Sequence, residues 1–232
     1  MLKTIHYTLY TIILSVLLTS CEVIPENERL IPVPLPDAGE QRHVLLEFTG
    51  FRCVNCPAAA ETAASLQSLY GDNLIVIVLH PASNPFTQGA YDYTCPEADS
   101  IYRFMGGTAT TPFPTGNIDM RLFDDSYFIG PDQWTTQLVN IIQSPITDIP
   151  SPITSYWLVE DSVLGVQAMP DGSVNMNYYH RHVLRAISEQ PFQQLPEQCN
   201  PAHCTVVTMQ IDPNDKHIIN AYETALHLSS DY

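Results

Sequence analysis

The chain has 232 residues, with 25 acids against 9 lysines and arginines and a formal net charge of −16. So acidic a balance excludes nucleic acid as a partner and excludes an electrostatic grip on anionic lipid. The 45% hydrophobic content is enough for a packed core, arranged as one large domain or two small ones.

Lys3 precedes an apolar run from Tyr7 to Leu18, too short for a transmembrane helix and placed like the core of a signal peptide. Leu18-Thr19-Ser20-Cys21 resembles a bacterial lipobox. That resemblance implies removal of residues 1–20 and lipidation of Cys21 as the mature N-terminus. The competing reading is an ordinary signal peptide with a chance cysteine at its end. Several acyl chains on Cys21 would anchor the protein stably to a membrane. Residues 21–42 contain Pro25, Pro32, Pro34 and Pro36 and several acids, which reads as a semi-rigid tether. The alternative is that part of this segment packs along the folded body.

His43 to Phe48 (HVLLEF) is a short apolar run closed by Thr49-Gly50, as expected of a buried strand. Ala59, Ala63, Leu66 and Tyr70 then recur at helical spacing, and Gly71 stops the helix. Leu74 to Leu79 predicts a second buried strand, and Pro96 to Phe104 a short helix ending at Gly106-Gly107. Thr115 to Asp119 and Arg121 to Ile129 are predicted as two strands around a turn. Gln133 to Gln143 puts Trp134, Leu138 and Ile141 on one face of a closing helix. The order β-α-β-α-β-β-α over residues 43–145 resembles the thioredoxin fold.

Between the first strand and its helix lies Cys53-Val54-Asn55-Cys56. A helix N-terminus stabilises a thiolate, and Arg52 adds positive charge beside it. Two intervening residues let the sulfurs meet as a Cys53–Cys56 disulfide, with Cys53 as the exposed, attacking member. The thioredoxin resemblance implies two further positions. Glu47, six residues before Cys53, corresponds to a buried acid that accepts a proton from the resolving Cys56. Burial would raise its pKa, whereas an edge-strand position would leave it in solvent. Phe113-Pro114-Thr115 corresponds to the cis-proline step that receives substrate backbone, with Pro112 as a competing candidate. Arg52 and Val54-Asn55 stand where that family commonly has Trp and Gly-Pro.

Ser144 to Pro152 is punctuated by three prolines and marks a boundary, with a β-rich region over 146–232. Tyr156 to Glu160, Val163 to Ala168, a long run from Val174 to Ile187, Thr205 to Ile211 and His217 to Leu226 are strand candidates. Asp171-Gly172 and Asp212-Pro213-Asn214-Asp215 are turns. Four to six antiparallel strands are expected, in a small sheet packed against the first domain. The segments LVEDSVLGVQ, YYHRHVLRAI and KHIINAYETAL, together with Glu47-Phe48-Thr49-Gly50 and Cys53 to Pro57, resemble the lipoproteins related to outer membrane protein 28. The resemblance spans nearly the whole mature chain. It implies lipid anchoring at the outer membrane, on its periplasmic or cell-surface face, with no defined reaction.

Cys199 and Cys204 are expected to close a small disulfide loop, as suits an exported protein better than a zinc site. Cys95 is then left over, buried and inert. His180 and His182 alternate along the predicted strand, but two ligands fall short of a metal site, and a structural role is preferred. Arg185 is available to a carboxylate. No cofactor motif is present. Two functions remain. One is an accessory or binding component of an envelope complex such as a nutrient importer, with an outer-membrane protein partner. The other is a thiol–disulfide oxidoreductase using Cys53, Cys56, Glu47 and Pro114. The first is preferred here because the residues flanking the cysteines depart from the active pattern.

Overall fold

The computed structural model describes residues 41–91, 93–144 and 151–226. Residues 1–20, Cys21, nearly all of the tether and the boundary stretch 145–150 lie outside them. Strands β1 (His43–Phe48) and β2 (Leu74–Leu79) are buried throughout, which is why each reads as a continuous apolar run. They pair in parallel, with His43 beside Leu74 and Phe48 beside Leu79. A parallel pair needs a crossover, and helix α1 (Cys56–Tyr70) supplies it. Pro57 suits the first turn, where no helical N–H is required, and Gly71 ends the helix with a φ of 55°. Strand β3 (Thr115–Ile118) runs antiparallel along the other side of β1. Helices α2 (Pro96–Phe104) and α3 (Pro131–Gln143) complete this half.

The strand expected over Arg121–Ile129 does not form. Its residues make only single bridges, Gly116 with Ile129 and Phe123 with Ser126. Asp124 and Asp125 take positive φ angles of 45° and 67°, which fold the segment into a tight turn that no strand can pass through. The order in this half is therefore β-α-β-α-β-α.

The second half contributes β4 (Ile153–Glu160), β5 (Val163–Ala168), β6 (Val174–His180), β7 (Val183–Ser188), β8 (Cys204–Ile211) and β9 (Ile218–Ala225). The run expected from Val174 to Ile187 is broken in two, because His182 has a φ of 52° and turns the chain between β6 and β7. Strand β7 enters beside β2, Val183 next to Val78, and makes a mostly antiparallel seven-stranded sheet of order β3-β1-β2-β7-β4-β8-β9. The two halves thus join edge to edge within one mixed α/β sheet, rather than stacking a separate small sheet on the first domain. Strands β5 and β6 form their own hairpin outside that sheet.

Side chains alternate across β1 and β2, so each strand feeds two cores. Leu46, Phe48, Ile77 and Leu79 enter one that continues through Tyr102, Trp157 and Met209. Leu45, Val76 and Val78 enter the other, under Ala63 and Leu66 of α1 and Trp134 of α3. By the same alternation Glu47 falls on the α1 side. No helix among the described residues is long and apolar enough to cross a membrane.

Candidate functional site

The loop from β1 to α1 is held tightly. A Cβ on Gly50 would press 2.5 Å from the carbonyl oxygen of Phe86, so only glycine passes there. Cys53 N–H donates to Gly50 O at 2.9 Å, and Cys56 N–H to Cys53 O at 3.3 Å. Cys53 and Cys56 form a disulfide, with Cys56 the first residue of α1.

Sequence reading made Cys53 the exposed sulfur, but both cysteines are only 2% exposed. The β5–β6 hairpin is bonded to this loop. Gln167 Nε2 donates to Cys53 O at 2.8 Å, and Ala168 N–H donates to Phe51 O at 2.8 Å. Val166 N–H donates to the Tyr93 hydroxyl at 2.8 Å, and Gly165 packs so closely on that hydroxyl that no side chain fits. Arg52 is exposed and reaches away, donating to Gln88 O at 3.3 Å.

Glu47 is 1% exposed, and neither carboxyl oxygen has a hydrogen-bond partner. Burial pushes its pKa up to about 8, so the group is mostly protonated at neutral pH. It lines a cavity of about 280 Å³ together with Pro57, the residue after Cys56, and Gln167. The Phe113–Pro114 peptide is cis, and Phe113 shares a buried cluster with Cys53 and Cys56. The structure thus puts the disulfide and Phe113 in one core and Glu47 on the other face of β1, where the cavity it shares with Pro57 is its link to the disulfide loop.

His180 and His182 do not sit side by side on a strand. His180 ends β6, its Nε2 lies 3.2 Å from Val166 O, and burial lowers its pKa to about 4. Its ring is 4.4 Å from that of Tyr93. Arg185 pairs with Glu160 at 2.7 Å. Cys199 and Cys204 are both free and buried, contrary to the expected disulfide. Burial raises the pKa of each thiol. Within the loop His203 N–H donates to Asn200 O at 2.9 Å, and Asn200 N–H donates to Glu160 Oε1 at 2.8 Å, so the turn is held without a covalent link. Cys95 is buried, its sulfur accepts from Ala98 N–H at 3.4 Å, and burial raises its thiol pKa to about 11.

Sequence reading missed Gln167, Tyr93 and His80. His80 follows β2, is 1% exposed and has no partner at either ring nitrogen. Burial above all, with the charges of His180 and Arg185, holds its pKa well below the usual value. The available signals were a histidine closing the run LIVIVL and a glutamine inside VLGVQA. Among the described residues, Asp212, Asp215 and His217 are the group close enough to share an ion. They already serve the β8–β9 turn, where Asp212 accepts from Asn214 N–H at 2.7 Å and His217 pairs with Asp215.

No family model matches the chain, and no curated protein matches it. Among solved structures it is similar to HBP35 of Porphyromonas gingivalis at 14% identity and a TM-score of 0.59, over 84% of this chain and 79% of that one. A structural-genomics protein from Agrobacterium tumefaciens aligns at 13% identity and a TM-score of 0.47, over 84% of this chain and all (100%) of that one. At such identities the HBP35 likeness concerns the fold alone.

Proposed function

We propose that this chain is a thioredoxin-like thiol–disulfide oxidoreductase of the cell envelope, held at the outer membrane through a lipidated Cys21. The observation that carries the reading is Glu47, a buried carboxyl without a partner, one strand-to-helix loop away from the Cys53–Cys56 disulfide. An unpaired buried acid costs stability, and one poised between protonation states near neutral pH suits proton transfer.

In the forward direction a substrate thiolate attacks Cys53 Sγ and the Cys53–Cys56 bond breaks. Cys56 leaves as a thiolate, and Glu47 releases its proton to it by way of the cavity that Glu47 shares with Pro57, the residue after Cys56. A second substrate thiolate then attacks the substrate sulfur of the mixed disulfide and releases Cys53. The substrate dithiol ends as a disulfide, and its two electrons rest on Cys53 and Cys56. Pro114, leading into β3 beside β1, is the surface for substrate backbone. Both sulfurs are buried, so the first attack needs an opening, and the β5–β6 hairpin bonded to Phe51 and Cys53 is the element that lifts.

The test is oxidation of a reduced dithiol peptide by full-length protein. Turnover lost in Cys53→Ser, and a mixed disulfide trapped on Cys53 in Cys56→Ser, support the reading. Oxidation no faster than with a cysteine-free variant sinks it. Labelled palmitate that appears on the parent and not on Cys21→Ala would support the anchor; equal labelling would exclude Cys21.

The covered disulfide favours a second reading, in which the same body is an accessory component of an envelope complex. That reading expects an outer-membrane protein to co-purify equally with the parent and with Cys53→Ser after gentle detergent extraction.

A further inference from the structure

Four acids are buried in the described residues, and three have their partners within the protein. Asp119 pairs with His43 at 2.7 Å and accepts from Val44 N–H at 2.7 Å. Glu160 pairs with Arg185, and Asp212 accepts from Asn214 N–H. Glu47 alone has none. It is buried and lines a cavity of about 280 Å³, far more than one water or a bare ion needs and near the lower size of small-molecule sites.

The walls say what kind of molecule fits. Ala60, Ala64, Val76 and Val78 make an apolar sleeve, wide enough for a short alkyl stem. The titratable and charged groups around it are Glu61 from α1, and Tyr178, Tyr179, His180, Arg181 and His182 from β6 and the following turn. Burial keeps His180 and His182 neutral at pH 7 and raises the Tyr178 hydroxyl further from ionisation. Glu61 and Arg181, both exposed, are therefore the charged residues of the wall, and their charges offset each other. An anion would meet two carboxyls and a protein of net charge −16, whereas a cation is drawn by both.

We propose that this cavity is a binding site for a small organic cation, an ammonium or guanidinium on a short apolar stem, with Glu47 as its counter-charge and the α1 alanines and β2 valines as its sleeve. On entry the carboxyl turns from its sealed position toward the cation and gives up its proton. A planar guanidinium can take both carboxyl oxygens at once, an ammonium one at a time. The inference goes beyond disulfide exchange and needs the disulfide only in its closed form.

Calorimetric titration of the oxidised full-length protein with n-butylguanidinium and n-butylammonium chloride tests it, with n-butanol and butyrate as controls. At least one cation binds saturably at pH 7 and releases close to one proton, read from buffers of different ionisation enthalpy. That release disappears at pH 9.5, above the Glu47 value of about 8. Glu47→Gln weakens binding at least tenfold, and Ala64→Leu, an exposed wall residue that leaves the core untouched, narrows the sleeve and weakens it severalfold. No saturable binding of either cation overturns the proposal. So does binding that Glu47→Gln leaves unchanged, or butanol binding as well as the cations. None of these outcomes depends on whether Cys53 exchanges disulfides.

Discussion

Glu47 and Glu160 are the same residue type in nearly the same setting, on interior strands of one sheet, 1% and 4% exposed, each close to a pair of cysteines. Their chemistry diverges because of what surrounds the carboxyl. Glu160 receives Arg185 Nε at 2.7 Å and Asn200 N–H at 2.8 Å, and the nearby Cys199 and Cys204 are free thiols. Glu47 receives nothing, and Cys53 and Cys56 are joined. A paired buried carboxylate is a structural rivet, whereas an unpaired one is a proton that can be moved. Burial alone therefore does not mark a site; burial without compensation does.

The largest effect should come from making the second corner resemble the first. Arg185→Met strands Glu160 as an uncompensated buried charge, and about 3–5 kcal/mol of stability is expected to be lost. Replacing both partners, as in Glu160→Gln with Arg185→Met, should recover most of it, because the stranded charge is gone. Urea unfolding of the parent and the two variants measures this. A cost below about 1 kcal/mol for Arg185→Met would mean the pair is dispensable and the contrast is weaker than the geometry says.

The opposite sign is expected at Glu47. Its pKa is about 8 in the fold and near the ordinary value of 4.5 when unfolded. Below pH 4.5 both states hold the proton. Between pH 4.5 and 8 the unfolded chain loses it first, so stability falls as pH rises, by up to about 1.4 kcal/mol per unit from this group. Above pH 8 both states are ionised and the decline stops. Glu47→Gln removes that slope, and at pH 9 it should be more stable than the parent by about 1–3 kcal/mol. Chemical denaturation across pH 5–9 checks it, and parallel profiles for parent and variant would refute the unpaired, buried acid.

How much of this was legible before the structure follows from the range of the interactions. The run HVLLEF, the CxxC and the helix at Ala59 to Tyr70 are local signals, and each lies where it was read, to within a few residues. The edge joining the halves is not local. Val78 and Val183 are 105 positions apart and meet at a single register point, which no periodicity encodes. The cover on Cys53 is equally remote, since Gln167 lies 114 residues away. The lost strand near Asp124-Asp125 failed for a local reason, two aspartates that accept positive φ, and that signal was readable but outweighed by the apolar residues around it.

A smaller effect probes the cover itself. Gln167→Ala deletes the donor to Cys53 O at 2.8 Å while keeping the hairpin ladder. With about 1 kcal/mol of hydrogen bonding removed, reduction of Cys53–Cys56 by dithiothreitol should quicken about fivefold. Quenched alkylation followed by mass measurement gives the rate. An unchanged rate would mean that the hairpin opens by a route that does not involve this bond.

The smallest change in stability, and the sharpest test of the two cysteine pairs, lies at Cys199 and Cys204. Burial first, then the neighbouring Cys199 and Glu160, pushes the Cys204 thiol up to about 12. At pH 8 only about one molecule in ten thousand then carries the thiolate that alkylating reagents attack. Native protein should therefore leave these thiols unlabelled over minutes, with no loss of stability. Denatured without reductant, Cys95, Cys199 and Cys204 should all label, and Cys53 and Cys56 should join them only after reduction. Peptide mapping distinguishes the five positions. A Cys199–Cys204 disulfide in protein taken from the envelope would reverse the contrast: the corner with the paired glutamate would then also be oxidised, and the redox state of a cysteine pair could no longer be tied to the carboxyl beside it.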